Sequence, residues 1–217
     1  MKRTGLFIAS LFIMFITNGQ SVLSFFGGPQ TTTAKFAVGP DIQNTESKIG
    51  FHLGVAKKIN FDDQIFFYPS VSYSLKGYKV SFQNPSSLPG LDIVYDNTTI
   101  HTIDFSPHLQ VDFSKNKSHL FIRFGPTFDA AILGKEEVIF QNGKKENRDM
   151  KFSFSNYGRI GASLVSQFGY ETENKFFVSV RYDYGVGSIS NADGGPKITN
   201  RILALSLGLY IPNKKPK

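Results

Sequence analysis

A strict two-residue alternation runs through the sequence from 119 to 132, which reads HLFIRFGPTFDAAI. One set of alternate positions is entirely apolar: Leu120, Ile122, Phe124, Pro126, Phe128, Ala130 and Ile132. The other set is mixed: Phe121, Arg123, Gly125, Thr127, Asp129 and Ala131. Because successive side chains of a strand point to opposite faces, this pattern predicts a strand with one apolar face. A soluble barrel would bury that face, whereas a membrane barrel would expose it to lipid.

The alternation recurs and predicts eight consecutive strands with no convincing helix between them. In order they are a weak strand over 35–42, KIGFHLGVAK, a strand starting near Gln64, HTIDFSPHLQVDF, the stretch at 119–132, FSFSNYGRIGASLVSQF, KFFVSVRYDYGVG and RILALSLGLYI. Strands of soluble proteins are most often about 5 or 6 residues long. A membrane-crossing strand needs about 9 to 11 residues, and these segments match that length.

The predicted connections alternate in length along the chain. Strands two and three, four and five, and six and seven are joined by about four or five residues, whereas most other connections have about ten to sixteen. Outer-membrane barrels have short periplasmic turns and long outer loops. The sequence therefore predicts an all-β fold, an eight-stranded antiparallel up-and-down transmembrane β-barrel, with both termini on the periplasmic side. The first outer loop, QNTES, is a short exception.

The composition of the two strand faces favours the membrane barrel over a soluble one. The apolar faces of the five clearest strands carry no charge, as a lipid-facing surface requires. The opposite faces of these strands lack Lys and Glu, which the water-facing skin of a soluble barrel should carry. They carry instead Asp104, Asp112, Arg123, Asp129, Arg181 and Asp183 among small and polar residues. These side chains are expected to fill a narrow, closed lumen. A soluble lipocalin-like carrier with reversed faces is the alternative.

The ends of the chain are predicted to lie outside the barrel. Residues 1–19 have a basic start, an apolar core of 11 residues and a polar end, which is typical of a secretory signal peptide. An uncleaved anchor is the alternative. The expected organisation is then an N-terminal extension over 20–33, the barrel over 34–211 and a basic tail over 212–217. The chain has no cysteine, so disulfide and thiol chemistry are excluded.

The lumen charges are the strongest candidate site. They are Asp104, Arg123, Asp129, Arg159, Arg181 and Asp183, interpreted as a structural ion-pair network because buried charges must be paired. Arg159 joins this set if Phe168 pairs with Phe176, which would place it diagonal to Asp183. A proton path, a ligand site or a gate is the alternative interpretation. Bulges, or segments beyond the hydrocarbon layer, are expected at three prolines within the strands: Pro69, Pro107 and Pro126.

No other motif predicts chemistry. The four His residues are scattered, so no metal site, catalytic residue or cofactor is expected. The net charge of +7 is spread over turns and the tail rather than over a basic helix, and no nucleic-acid partner is expected. Neither LGKEE nor NGKKE has the spacing of a phosphate-binding loop.

Several segments together resemble one known family. They are KIGFHLGVAKKINFDDQIFFYPSVSYSLKGYKVSF, HTIDFSPHLQVDF with its proline, FIRFGPTFDAAIL with its Gly-Pro pair, NYGRIGASLVSQF and VRYDYGVGSIS. Their order and spacing over about 34–211 resemble the PorT-like outer-membrane β-barrel family of Gram-negative bacteria. The resemblance implies an eight-stranded barrel in the bacterial outer membrane. It implies little chemistry, although some members are linked to secretion or gliding machinery.

The expected function is therefore that of an integral outer-membrane barrel in contact with outer-membrane lipid. Eight strands leave room only for side chains inside, so a diffusion pore is not expected. The charged loop over 134–149 and the periplasmic rim are the expected places for a protein partner. An outer-membrane lipid- or peptide-modifying enzyme is the alternative, which would need a His-centred constellation near the outer rim.

Overall fold

The computed structural model describes residues 21–82 and 92–211. The predicted signal peptide over 1–19, the loop QNPSSLPG and the basic tail over 212–217 lie outside the described residues. Within the described part of the chain, no helix is long and apolar enough to cross a membrane.

Ten strands account for most of the described chain. They are β1 (Ser21–Val38), β2 (Asp41–Ile42), β3 (Asn44–Asp62), β4 (Ile65–Ser81), β5 (Ile93–Asp112), β6 (His119–Phe140), β7 (Lys145–Asp149), β8 (Ile160–Glu171), β9 (Phe176–Gly185) and β10 (Lys197–Ile211). Aromatic and β-branched residues at alternate positions favour extended structure in these segments. The eight predicted strands correspond to β1, β3, β4, β5, β6, β8, β9 and β10, so the predicted fold class is confirmed.

The eight long strands form a closed antiparallel ring. Each strand pairs with the next long strand along the chain, and β10 returns to pair with β1 from Leu23 opposite Ile211 to Ala37 opposite Lys197. Closure removes the free edges that would otherwise present unpaired backbone groups. Turns of two, six and four residues join β3 to β4, β5 to β6 and β8 to β9 at one end of the ring, here the short-turn end. The opposite end is the long-loop end.

The predicted N-terminal extension over 20–33 is wrong, because β1 already begins at Ser21 and pairs with both β10 and β3. The segment FFGGPQTTT lacks the apolar alternation of the other strands. β1 is held in the ring by backbone pairing with β10 and β3. Gly28 lets the backbones of β1 and β10 approach closely, because a Cβ there would lie 2.0 Å from the carbonyl oxygen of Leu205. Sequence periodicity predicts only the end of this strand, within 35–42, because its first part closes the ring without contributing an apolar stripe.

The predicted loop over 134–149 is also wrong. Residues up to Phe140 continue β6, and β7 folds back on them with Lys135 opposite Asp149 and Glu136 opposite Arg148. Gly143, with φ of 80°, lies in the connecting turn. The segment looked like a loop because it is dense in charge, yet opposite charges facing each other stabilise an antiparallel pair. Since β6 pairs with β8 only as far as Ala130, this β6–β7 hairpin extends past the ring at the long-loop end.

No bulge marks the three strand prolines. Pro69 lies directly opposite Pro107, and Pro126 lies opposite Leu164 in an unshifted register. Register shifts in β3–β4 and β5–β6 occur elsewhere, between Ser47 and His52, between Asn60 and Asp62, between Ile93 and Tyr95, and between His101 and Thr102. The β5–β6 ladder is interrupted after Phe105 opposite Phe128 but resumes in the same register. Pro107 and Pro126, which lack a backbone N–H, therefore lie in a local gap of this ladder.

The predicted faces are correct. Large apolar side chains exposed on the outside include Leu53, Leu120, Phe124, Phe128, Ile132, Phe168, Val178, Val180, Leu203, Leu205 and Leu207. The polar residues between them point inward and are buried. A barrel with an apolar outside and a polar inside inverts the arrangement of a soluble protein.

Both ends of the lumen are closed by apolar and aromatic side chains. Two apolar clusters lie at the long-loop end, and Tyr157 and Ile189 from the connecting loops pack against both. The first cluster comprises Ala34, Phe36, Tyr78, Val80 and Ile198, and the second comprises Ile100, Ala131 and Met150. Nearer the short-turn end lies an aromatic layer of Ala56, Tyr68, Phe121, Phe177 and Tyr210. Two glycines make room for this layer: a Cβ on Gly169 would lie 2.4 Å from Phe121, and one on Gly208 would lie 2.2 Å from Phe177.

Candidate functional site

Five charged side chains meet in the middle of the lumen, between the apolar cap and the aromatic layer. This mid-lumen cluster comprises Lys76, Asp104, Asp129, Arg181 and Asp183. Asp104 and Asp129 are direct partners on β5 and β6, and like charges in that arrangement repel. Lys76 relieves the repulsion, with Nζ 3.1 Å from Asp104 and 3.6 Å from Asp129. Thr102 donates a further hydrogen bond of 2.6 Å to Asp104.

Arg181 and Asp183 complete the mid-lumen cluster from β9. Arg181 Nε lies 3.0 Å from Asp183 Oδ1, although neither atom has a hydrogen bond of good geometry. The two residues are two positions apart on one strand, so their side chains run side by side rather than facing each other. The two residues therefore stabilise each other by the closeness of their opposite charges rather than by a hydrogen bond.

Arg159 is not part of this network, so that prediction is wrong. It precedes β8, is exposed, and its guanidinium lies 5.7 Å from the ring of Phe152. The expected pairing of Phe168 with Phe176 does not form, because Phe168 lies opposite Val180. This difference in register moves Arg159 past the end of β9 and out of the lumen.

Arg123 lies apart from the mid-lumen cluster, inside the aromatic layer. Its guanidinium carbon is 3.7 Å from the ring centre of Tyr68 and 4.2 Å from that of Phe121. Its Nε donates to Gln110 at 2.5 Å and its Nη2 donates to Tyr210 at 2.8 Å. With 1% of its surface exposed, Arg123 is held mainly by cation–π contacts and hydrogen bonds, and its Nη2 also lies 3.8 Å from Glu171 Oε1 in a long ion pair.

A second group of charges lies at the short-turn end, beyond the aromatic layer. This mouth cluster comprises Lys58, Asp112, His119 and Glu171. Lys58 Nζ lies 2.7 Å from Asp112 Oδ2 and 3.0 Å from Glu171 Oε2. Glu171 also accepts hydrogen bonds from Tyr210 at 2.5 Å and from Gln110 at 2.8 Å, which link the mouth cluster to the aromatic layer.

The mouth cluster borders a cleft of about 720 Å³ that opens at the short-turn end. The turns around the cleft supply further charges, including Lys115, Lys117, Glu173 and Lys175. The cavities beside the mid-lumen cluster measure only about 20 and 10 Å³. Of these places, only the cleft has room for a ligand larger than water.

The other histidines do not form a catalytic arrangement in the described part of the chain. His52 Nε2 pairs with Ser206 at 2.8 Å, but the pair is buried and His52 Nδ1 has no partner to orient the ring. His108 contacts Thr127 at 3.2 Å inside the lumen, and His101 pairs with Tyr73 at 2.6 Å. A catalytic serine and histidine would need a third group and access for a substrate.

Sequence reasoning missed four residues that the structure brings into these clusters. The predicted lumen charges do not include Lys58 and Lys76, the sequence predicts a turn at Glu171, and His119 is one of the four scattered histidines. Both lysines lie within long strands, Lys58 in β3 and Lys76 in β4. Their partners come from other strands, so only the register could have brought them together.

The model of one protein family, the outer membrane protein beta-barrel domain, matches residues 18–191. The chain belongs to this family. It is therefore an outer-membrane β-barrel protein of Gram-negative bacteria, and its predicted location is confirmed. The apolar outside of the ring faces lipid, which excludes the soluble lipocalin-like alternative.

Solved outer-membrane barrels are similar to this chain in fold. OprG of Pseudomonas aeruginosa is 12% identical, with a TM-score of 0.48 over 89% of this chain and 97% of OprG. Ail of Yersinia pestis, solved with the heparin analogue sucrose octasulfate, is 15% identical, with a TM-score of 0.42 over 88% and 99%. The outer membrane enzyme PagL is 14% identical, with a TM-score of 0.41 over 88% and 99%. No curated protein matches the sequence.

Proposed function

We propose that this barrel is a closed, non-enzymatic membrane scaffold that acts through a protein partner at its β6–β7 hairpin. The observation that carries the proposal is the combination of a filled lumen with a strand pair that extends beyond it. Arg123 and its aromatic layer block one end, and the apolar cap blocks the other. Because no solute can pass through a filled barrel, its function must depend on surfaces outside the lumen.

The hairpin offers a rigid and distinctive surface. Lys135 lies opposite Asp149 in its register, Arg148 Nε lies 2.9 Å from Glu146 Oε1, and Tyr157 donates a hydrogen bond to Glu136. The nearby loop over 151–159 carries Phe154, which is 98% exposed. An exposed aromatic beside mixed charges is typical of a protein contact. The short turns at the other end support an assignment of the hairpin to the outside of the cell.

The finer family assignment is part of the same proposal. We infer a PorT-like barrel, with a role in a larger envelope assembly, from the order of the Gly-Pro and Tyr-Gly strands in the sequence. In this interpretation the barrel anchors a partner.

Conductance tests whether the lumen is closed. Purified protein inserted into planar lipid bilayers should give no steady channel current, whereas a porin added afterwards to the same bilayer should. A stable, reproducible conductance of the barrel alone would overturn the closed-lumen part of the proposal. Since Trp is absent, insertion is checked by heat-dependent gel mobility instead of by tryptophan fluorescence.

Site-specific crosslinking tests the partner surface. A photo-reactive amino acid at Lys145 or Asn147, both exposed on β7, should capture one defined protein in intact cells. The same probe at Leu205, on the lipid face, is the matched control and should not capture it. Reversing the charges of Lys144 and Lys145 to Glu should abolish the capture while the barrel still folds. Equal capture at all three positions, or capture that survives the reversal, would argue against the hairpin as the partner site.

A further inference from the structure

The mouth cluster contains three side chains of a kind that binds metal ions. One ligand atom from each of Asp112, His119 and Glu171 can be chosen so that all three lie within 4.8 Å of one another. Asp112 Oδ2 lies 3.0 Å from His119 Nε2, and Glu171 Oε2 lies 3.3 Å from the same nitrogen. Zinc ligands at about 2.0–2.1 Å in a tetrahedron are about 3.3 Å apart. The two measured separations are therefore close to the edges of such a tetrahedron.

The orientation of His119 is the second observation. Its Nδ1 lies 2.8 Å from the carbonyl oxygen of Asn116, which can only accept, so Nδ1 must carry the proton. Metal-binding histidines usually have their other nitrogen fixed in this way. In the neutral ring Nε2 is then bare, and it has no hydrogen-bond partner although its side chain is only 10% exposed. A bare nitrogen facing two carboxylates is unfavourable unless a proton or a metal ion lies between them.

Lys58 shows that the site favours a cation. Its ammonium lies 2.7 Å from Asp112 and 3.0 Å from Glu171, bridging the two carboxylates. Unlike Lys76 in the mid-lumen cluster, Lys58 lies beside the open cleft, so its flexible side chain has space to move away. A divalent ion would compete with the ammonium for the same oxygens while also satisfying His119 Nε2.

We propose that Asp112, His119 and Glu171 form a binding site for a divalent transition-metal ion such as Zn²⁺, in which Lys58 occupies the cation position in the metal-free state. Mixed imidazole and carboxylate ligands suit zinc better than calcium or magnesium, which prefer oxygen alone. Three strands supply the site, from the ends of β5 and β8 and the start of β6. A bound ion would tie these strands together at the short-turn end.

Calorimetric titration tests the proposal on the complete barrel, purified in detergent without a histidine tag. ZnCl₂ should bind with a stoichiometry of one, and CoCl₂ should give the visible absorption of a tetrahedral site. His119→Ala should weaken binding by about 100-fold or more, since even indirect partners of a metal contribute about 10- to 100-fold. Lys58→Met should tighten binding by about tenfold, because it removes a competing positive charge.

His101→Ala is the matched control, since His101 pairs with Tyr73 on the outside of the barrel and should leave zinc binding unchanged. Heat-dependent gel mobility establishes that each variant is folded. The proposal fails if the folded wild-type barrel binds neither ion, which would leave a proton as the partner of His119. It also fails if His119→Ala binds Zn²⁺ as tightly as the wild type, or if Lys58→Met binds it more weakly.

Discussion

The two charge clusters of the barrel use the same residue types in different surroundings. In both, a lysine lies between two carboxylates: Lys76 between Asp104 and Asp129, and Lys58 between Asp112 and Glu171. The mid-lumen cluster is enclosed, beside cavities of about 20 and 10 Å³, whereas the mouth cluster borders a cleft of about 720 Å³. Solvent access is therefore the main difference between them.

This difference separates a structural role from an exchangeable one. A charge in a closed lumen cannot turn to water, so its partners must be present whenever the barrel is folded. At the mouth, water and movable side chains can replace a lost partner. Hydrogen bonds from Tyr210 and Gln110 also keep Glu171 in place independently of Lys58. The mouth cluster can thus change its cation, while the mid-lumen cluster cannot.

Replacing the central lysine by methionine in each cluster tests the difference between the clusters most directly. Lys76→Met should lower the free energy of unfolding by about 3–5 kcal/mol, because it leaves two facing carboxylates buried without their cation. Adding Asp104→Asn should recover part of this loss by removing one of the like charges. Urea unfolding in lipid vesicles, followed by circular dichroism, measures both variants. A loss for Lys76→Met no larger than that for Lys58→Met would show that enclosure does not distinguish the clusters.

The aromatic layer that divides the clusters gives the next largest effect. Gly208→Ala should lower the free energy of unfolding by about 1–3 kcal/mol, because the added methyl must displace Phe177 in a packed layer. Gly187→Ala is the matched control, since nothing lies within 4 Å of a Cβ there. The same urea unfolding experiment compares the two, and equal stability would contradict a tightly packed barrier between the clusters.

Lys58→Met should have a smaller effect, a loss of about 1 kcal/mol in the free energy of unfolding. The two carboxylates it leaves keep other donors, and the adjacent cleft admits water. The urea midpoint should shift less than for Lys76→Met under identical conditions. A loss of 3 kcal/mol or more would mean that Lys58 is a fixed structural partner, and it would remove the physical basis for exchange with a metal ion.

Sequence reasoning predicts most of the barrel because the lipid face requires strict alternation. The segments around Leu120, Val180 and Leu205 were assigned to strands, and their exposed sides correctly, for that reason. The sequence predicts the first strand only over 35–42, whereas β1 begins at Ser21, because ring closure depends on backbone pairing and close approach, which leave no apolar period. The sequence predicts a loop in place of the β6–β7 hairpin because the hairpin lies beyond the ring and has no apolar face toward lipid.

The candidate clusters were only partly predictable, for a related reason. Alternation identifies which residues point inward, so Asp104, Asp129 and Asp183 were correctly placed in the lumen. It does not say which residues on different strands are level with one another. One incorrect pairing, Phe168 with Phe176, brought Arg159 into the network, and the mouth cluster needs three strand ends at the same height. Contacts across a ring depend on register, which no single strand encodes.

The smallest effect on stability is expected for the most exposed of these lysines, Lys115, which pairs with Asp63 in the short turns. Lys115 Nζ donates a hydrogen bond of 2.7 Å to Asp63, and this bond, followed by the lysine charge, lowers the pKa of Asp63 below its usual value. A carboxyl with a lowered folded-state pKa stabilises the fold above its unfolded-state pKa, and this contribution is lost as pH falls through the folded-state pKa. Both side chains are mostly exposed, so water and salt screen the pair.

Lys115→Ala should therefore return the pKa of Asp63 to its ordinary range without a measurable change in unfolding. Carboxyl carbon NMR of Asp63 as a function of pH measures the pKa, and urea unfolding at neutral pH and at pH 3 measures the stability. Added salt should reduce the pKa difference between wild type and variant, because it screens exposed charges. A clear loss of stability in Lys115→Ala at neutral pH would contradict this view. Solvent access would then not determine how much Lys76, Lys58 and Lys115 each contribute to the free energy of unfolding.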